Sequence, residues 1–240
     1  AIFGDIPIFV SHDSADVWSN RHLFNIDEAG YPITVAGVPP DYFSESGQRW
    51  GNPHYRWVDK TKEIFNWWLI RLEHDLSLYD MVRIDHFRGF ESFWEIPANE
   101  NTARNGKWIK APGEELLALF KERFKVLPIV AEDLGIITPE VEELRDKFNL
   151  PGMKILQFAF DSDANNPYLP HNHIEHSVVY TGTHDNDTTL SWYDGISDEA
   201  KDKIRRYLNT DGHSIVWDKG GKWRNYNYHK RRHQDRWQYG

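Results

Sequence analysis

The chain has 240 residues, a formal net charge of −9 and no cysteine. That balance argues against nucleic acid as partner, since phosphate binding needs a clustered basic surface, and the missing thiols exclude a disulfide scaffold, thiolate catalysis and Cys-ligated zinc. No run approaches the roughly 20 apolar residues of a membrane span, and the opening AIFGDIPIFV lacks the basic start and small-residue cleavage site of a signal peptide. The reading is a soluble, cytoplasmic chain with neither nucleic acid nor membrane as partner.

Along the chain, short apolar runs of strand character fall at Ile6–Val10, Met81–Ile84, Leu127–Ala131, Met153–Phe160 and Ser177–Tyr180. Helical spacing lies between them. Thr61–Tyr79 repeats Ile64, Trp67, Trp68, Leu72 and Leu76 on one face, Glu114–Lys125 does so with Leu116, Leu117, Leu119, Phe120 and Phe124, and Thr138-Pro139 opens a third helix running to Phe148. Strand, helix, strand in this order predicts parallel pairing in an α/β fold. A doubly wound sheet fits the same order, but no glycine-rich phosphate turn follows any strand, so a (β/α)8 barrel is favoured and no cofactor is expected. The segment from Gly30 to Tyr55 is long and rich in Gly, Pro and aromatics, which reads as a functional loop. By contrast Lys219–Gly240 has seven Lys/Arg against one acid and no aliphatic residue, so it is expected to form neither strand nor helix and to stay loosely packed.

Three acids stand where predicted strands end: Asp85 in MVRIDHFRGF, Glu132 in PIVAEDLG and Asp185 in VVYTGTHDNDT. In a barrel the C-terminal ends of the strands open on one face, which would gather the three carboxylates in one pocket. Like charges raise one another's pKa, and such crowding suits chemistry in which one carboxylic acid donates a proton while another stays ionised. Glycoside cleavage has that requirement. Each acid also has a plainer reading: Asp85 as an ion-pair partner of Arg83 or Arg88, Glu132 as a turn cap, Asp185 as an Asx-turn former. His86 and His184 flank two of the acids, but no His/carboxylate pair has the helical spacing of a metal site, and no metal is expected. The 11 Trp and 11 Tyr suit a sugar ligand, or simply an aromatic core.

At these residues the sequence resembles a known family. The strings GDIPIFVSHDSADVW, GVPPDYFSESGQRWGNPHY, RIDHFRGFESFWEIP, VAEDLGIITPEVEELRDKFNLPGMKILQFAF and TGTHDNDTT, in this order, are similar to those of the amylomaltase or disproportionating-enzyme family of 4-α-glucanotransferases. The resemblance runs from Gly4 to about Trp217. It implies Asp85 as nucleophile, Glu132 as acid/base and Asp185 as the carboxylate that stabilises the transition state. It further implies that Arg83 sits beside the nucleophile, that His184 touches the donor sugar, that Tyr42, Gln48 and Trp50 fall in a loop arching over the cleft, and that Phe158 lines the acceptor side; His86, flanking Asp85, is placed where an imidazole can hydrogen-bond sugar hydroxyls. The implied reaction is retaining double displacement on malto-oligosaccharides or starch- and glycogen-derived glucans, with a sugar 4-hydroxyl collecting the glucosyl unit. Retention predicts Asp85 and Glu132 carboxyls about 5–5.5 Å apart, and Glu132 is expected to have a raised pKa with neighbouring charge as the main cause.

Family members are longer, so residues 1–217 read as a catalytic barrel portion holding about strands three to seven of an incomplete barrel, and 218–240 as an atypical tail. Two rival readings stand beside transfer: an α-glucan hydrolase of the amylase kind using the same carboxylates, and a glucan-binding fragment without turnover.

Overall fold

The computed structural model describes residues 1–41, 44–210, 215–217 and 223–225, the last two segments by their backbone. In chain order the elements are β1 (Phe3–Pro7), α1 (Ala15–Ser19), β2 (Thr34–Val38), β3 (Gln48–Pro53), α2 (Trp57–Leu78), β4 (Met81–Asp85), β5 (Ser92–Pro97) and β6 (Lys107–Lys110). Then come α3 (Gly113–Phe124), β7 (Ile129–Ala131), α4 (Pro139–Lys147), β8 (Gly152–Ile155), β9 (Ser177–Tyr180), α5 (Thr189–Gly195), α6 (Asp198–Tyr207), β10 (Ile215–Trp217) and β11 (Trp223–Asn225). The chain divides into two compact units, Ala1–Lys154 with Ile174–Val178, and Ile155–His173 with Val179–Gly240.

In the first unit β1, β4 and β7 form a parallel sheet in that order. Alternation along β4 decides what each face does. Val82 and Ile84 point into the apolar core with Ile6, while Arg83 and Asp85 share the opposite face. That core is sealed by helices: Ile64, Phe65, Trp68 and Leu72 make one stripe of α2, and α3 adds Leu116, Leu117 and Phe120. Trp68 is wholly buried, and cutting it back to Ala would cost roughly 3–5 kcal/mol. Beyond β7, the Ala131 N–H donates to Pro151 O at 2.9 Å, and β8 and β9 pair in a two-stranded sheet.

Several boundaries differ from those the sequence predicts. The first strand is Phe3–Pro7, not Ile6–Val10, because Ile8, Phe9 and Val10 are buried as loop rather than as strand. Apolar runs report burial, not pairing. Met153–Phe160 likewise splits into β8 and a short 3-10 turn at Leu156–Phe158.

The segment Gly30–Tyr55 is not a plain loop. Its β2 and β3 belong to a four-stranded antiparallel sheet of order β3-β2-β5-β6. Gly37 permits the β2–β3 approach, since a Cβ there would lie 2.0 Å from Gln48 O. Tyr55 Oη donates to Ile8 O at 2.5 Å and Asn52 Nδ2 to Phe9 O at 3.1 Å, which pins the segment to the chain leaving β1.

The second unit has its own small core. Ile204 of α6 is buried, Phe160 meets Tyr207 edge-to-face at 5.7 Å, and Ser197 caps α6 by accepting the Ala200 N–H. The stretch expected to stay loosely packed, Lys219–Gly240, lies almost wholly outside the described residues. Its described part, Trp223–Asn225, corrects the expectation of no strand there: it pairs antiparallel with Ile215–Trp217. No described helix is long and apolar enough to cross a membrane.

Candidate functional site

The register of the parallel sheet sets the geometry. Arg83 lies opposite Val130 and Ile84 opposite Ala131, so the next residues, Asp85 and Glu132, leave adjacent strands side by side. Adjacent strands run roughly 4.8 Å apart, a spacing compatible with a close carboxyl pair. Two backbone bonds hold the strand ends in step: Glu132 N–H donates to Ile84 O at 3.0 Å and Phe87 N–H to Glu132 O at 3.1 Å.

The side chains add a second set. Arg83, almost fully buried, donates from Nε to Asp5 Oδ1 at 2.9 Å and from Nη2 to Asp5 Oδ2 at 2.7 Å. The same Nη2 stands 3.0 Å from Asp85 Oδ1. One guanidinium therefore fixes the Asp85 carboxylate and is itself fixed by a bidentate partner directly across the β1–β4 pairing. Asp5 carried no signal in the sequence, because only the register shows that it faces Arg83.

Glu132 is treated differently. Its Oε2 accepts the His86 N–H at 2.7 Å and its Oε1 the Leu134 N–H at 2.9 Å. Its pKa is raised from 4.5 to about 7, first by burial and then by the Asp85 charge, with the two N–H donors and Arg83 opposing the rise. The expected direction holds, but the expected cause is corrected. Burial outweighs neighbouring charge because the carboxyl is set among protein atoms while Arg83 offsets part of the field of Asp85.

His86 adopts a left-handed backbone, φ 51° and ψ 49°, unusual for a residue with a side chain. This turns its N–H toward Glu132. Burial pushes the imidazole down to about 3, so the ring is neutral, and its Nε2 has no hydrogen-bond partner among the described residues. Trp50 stands edge-on to it at 4.8 Å, and Gln48 Oε1 holds the Trp50 indole N–H at 3.0 Å. Of the residues predicted from the Gly30–Tyr55 segment, Trp50 thus reaches His86, beside Asp85, and Gln48 holds Trp50 there. Tyr42 lies outside the described residues.

Arg88 is not a partner of Asp85. It bonds Ile136 O and stacks 3.9 Å from the Trp108 ring centroid. The first unit therefore brings together Arg83, Asp85, His86, Glu132, Gln48 and Trp50. The remaining predicted residues belong to the second unit. There Asp185 and His184 are exposed, 3.5 Å apart across His184 Nε2 and Asp185 Oδ1, on a turn in which Thr183 N–H donates to Asn186 Oδ1. Phe158 meets Tyr168 edge-on at 5.6 Å, and Gln157 Nε2 donates to Asp187 O at 2.8 Å. Among the described residues no group of three or more His, Cys, Asp or Glu could hold a metal ion.

The arrangement can support proton transfer beside a second carboxylate. Asp85 is oriented by a cation, and the neighbouring acid titrates near neutrality.

Comparison with known proteins gives this geometry a context. The family model described as 4-alpha-glucanotransferase, glycoside hydrolase 77, matches residues 1–235. A 4-alpha-glucanotransferase of Thermus thermophilus is 60% identical over 209 residues, covering 86% of this chain and 42% of the relative. One from Synechocystis sp. is 58% identical over 211 residues, covering 87% and 42%. Among solved structures, amylomaltase from Streptococcus agalactiae in complex with acarbose superposes with a TM-score of 0.83 at 42% identity, covering 88% of this chain and 43% of that one. Amylomaltase from Corynebacterium glutamicum, at 20% identity and a TM-score of 0.69, shares the fold. The chain thus spans about 42% of the length of the two 4-alpha-glucanotransferases and 43% and 30% of the two solved chains, and carries part of the amylomaltase (β/α)8 barrel. It belongs to the 4-alpha-glucanotransferase family.

Proposed function

We propose that this chain contributes the nucleophile and acid/base of a 4-α-glucanotransferase that works by retaining double displacement on malto-oligosaccharides. The observation that carries this reading is the contrast at two adjacent strand ends: Asp85 beside Arg83, and Glu132 raised to about 7. Asp85 Oδ attacks the anomeric carbon while Glu132 gives its proton to the departing glycosidic oxygen, which leaves a glucosyl ester on Asp85. Glu132, now ionised, takes the proton of an incoming 4-hydroxyl as that oxygen displaces Asp85. Arg83 holds the carboxylate in place. Trp50 and Gln48 supply a wall over His86 against which a sugar ring can stack. Asp185 and His184 join this reading as transition-state carboxylate and donor-sugar contact, Tyr42 as a further cover of the cleft and Phe158 as acceptor-side lining, all by their match to family motifs. A cytoplasmic setting and starch- or glycogen-derived glucans complete it, the former supported by the cysteine-free sequence.

Incubation with maltotriose tests the proposal by its products. Longer oligosaccharides together with glucose support transfer. Steady conversion to glucose and maltose without longer products marks a hydrolase, and binding without turnover marks a glucan-binding chain; either result overturns the proposal.

A further inference from the structure

Arg88 is nearly fully buried, and its Nε has no hydrogen-bond partner among the described residues. A cation in that position is costly unless its placement achieves something. It lies three residues after Asp85, in the 3-10 turn Phe87–Phe90, and its Nη1 donates to Ile136 O in the chain leaving β7. Trp108 of β6 covers it, with the guanidinium carbon 3.9 Å from the ring centroid. Between Glu132 and Ile136 the backbone makes a turn through Gly135, φ 81°, with open space where a Cβ would be. Within that turn the Leu134 N–H reaches Glu132 Oε1.

Three bonds therefore stitch the chain after β4 to the chain after β7. His86 N–H holds the Glu132 carboxylate, Phe87 N–H holds the Glu132 carbonyl, and Arg88 holds Ile136 O. The first two act on Glu132 itself. The third restrains the far side of a turn whose glycine would otherwise leave it loose.

We propose that Arg88 is a positioning residue for Glu132: clamped under Trp108, it fixes the Leu134–Ile136 turn so that the Leu134 N–H stays on the Glu132 carboxylate. The inference rests on the reading of Glu132 as acid/base given above. A hydrogen bond to the ionised form lowers a carboxyl pKa, so releasing the turn raises the pKa of Glu132. The charged groups facing Glu132 are Asp85 and Arg83 of β4, and the acid whose field reaches Arg88 is Glu140 of α4. The His86 imidazole between them is neutral.

The test is an NMR titration of the Glu132 side-chain carboxyl together with the Leu134 amide in this chain. In the unaltered chain both report one titration near 7. Arg88→Met removes the charge and the clamp; Trp108→Leu leaves the charge and removes the cover. Both are expected to raise the Glu132 pKa, by roughly half a unit to one unit, and to uncouple the Leu134 amide from it, with the larger effect in Arg88→Met. Glu140→Gln is expected to change neither. If Arg88→Met does not fold, Trp108→Leu decides alone. A Trp108→Leu chain in which the pKa is unmoved and the Leu134 amide still follows Glu132 overturns the proposal, as does a shift in Arg88→Met with the amide still coupled, which would mark a bare effect of charge. Absence of glucan transfer would overturn the function and leave this result untouched.

Discussion

Glu132 and Asp133 are neighbours in sequence, yet their side chains enter regions that handle charge in opposite ways. Asp133, with 3% of its side chain exposed, meets Arg145, with 7%, and its two oxygens are both used: Oδ2 by Arg145 Nη1 at 2.5 Å, Oδ1 by the Met153 N–H at 2.7 Å. Gly152 lets β8 come this close, since a Cβ there would lie 2.3 Å from Asp133 Oδ2. Arg145 Nε also meets Asp146 at 2.8 Å, but that acid is exposed, so the buried charge here is matched, and the result joins the end of β7 to α4 and β8. Glu132 receives two N–H donors but also the field of Asp85, and its nearest cation, Arg83, is shared with Asp5 and Asp85. Matched charge makes a fastening. Charge left partly unmatched makes a group that can change protonation near neutral pH.

Single substitutions separate the two regions. Replacing Glu132 with Gln removes a proton donor and is expected to lower kcat on maltotriose by about 10²- to 10⁴-fold. The loss in the first step, read as the burst of donor cleavage in a single turnover, should be much smaller with an α-glycosyl fluoride donor, whose leaving group needs no proton. Equal losses on both donors would remove Glu132 from the acid role.

On the matched side, Arg145→Met leaves Asp133 buried without its cation and should cost about 3–5 kcal/mol in urea unfolding. Adding Asp133→Leu in the same chain should return part of that loss, since two apolar groups leave no buried charge behind. Activity per folded molecule is expected to change little in Arg145→Met, which would separate fastening from chemistry.

Protonation gives the next effect. The folded pKa of Glu132, about 7, exceeds its ordinary 4.5, so the folded chain holds this proton over that window more firmly than the unfolded chain does. Its contribution to stability is fully present below pH 4.5 and is lost as pH rises through 7, on the order of 3 kcal/mol in all. Urea midpoints measured across this range should show the slope in the unaltered chain and lose it in Glu132→Gln. Asp85→Asn should lower the Glu132 pKa only part of the way, since burial is the larger cause; a return to 4.5 would mean that Asp85 alone had raised it.

The smallest effect concerns Trp50. With 40% of its surface exposed it contributes little to folding, and Trp50→Leu is expected to raise KM several-fold, about 1 kcal/mol, with little change in kcat. A fall in kcat at unchanged KM would place Trp50 in the chemical step.

Much of this site was legible in the sequence because it is local. A strand pattern that ends in Asp85 or Glu132 puts those residues at a strand terminus whatever the rest of the chain does. The helices over 57–78, 113–124 and 139–147 were legible for a similar reason, since the spacing of Trp68 with Leu72, or Leu116 with Phe120, is periodic within one element. What could not be read depends on pairing between distant segments. Asp5 becomes visible only once β1 and β4 are in register, 78 residues apart. The antiparallel sheet of β2, β3, β5 and β6 was hidden because the exposed Gln48, Arg49 and Trp50 show no apolar alternation and Gly37 looks like a loop residue. The cause of the Glu132 shift is hidden for the same reason: counting acids in sequence gives charges, while burial is a property of the packed chain.

If Asp85 forms the glycosyl ester and Glu132 serves both its formation and its transfer, the ester can be trapped in the Glu132→Gln chain supplied with α-maltosyl fluoride. Fluoride needs no protonation to leave, and without a base at position 132 the acceptor hydroxyl cannot displace the ester quickly, so the intermediate should accumulate. Mass analysis of the digested protein is expected to find one maltosyl group on the peptide carrying Asp85, absent in the Asp85→Asn, Glu132→Gln double variant. No adduct, or an adduct on another side chain, contradicts the account.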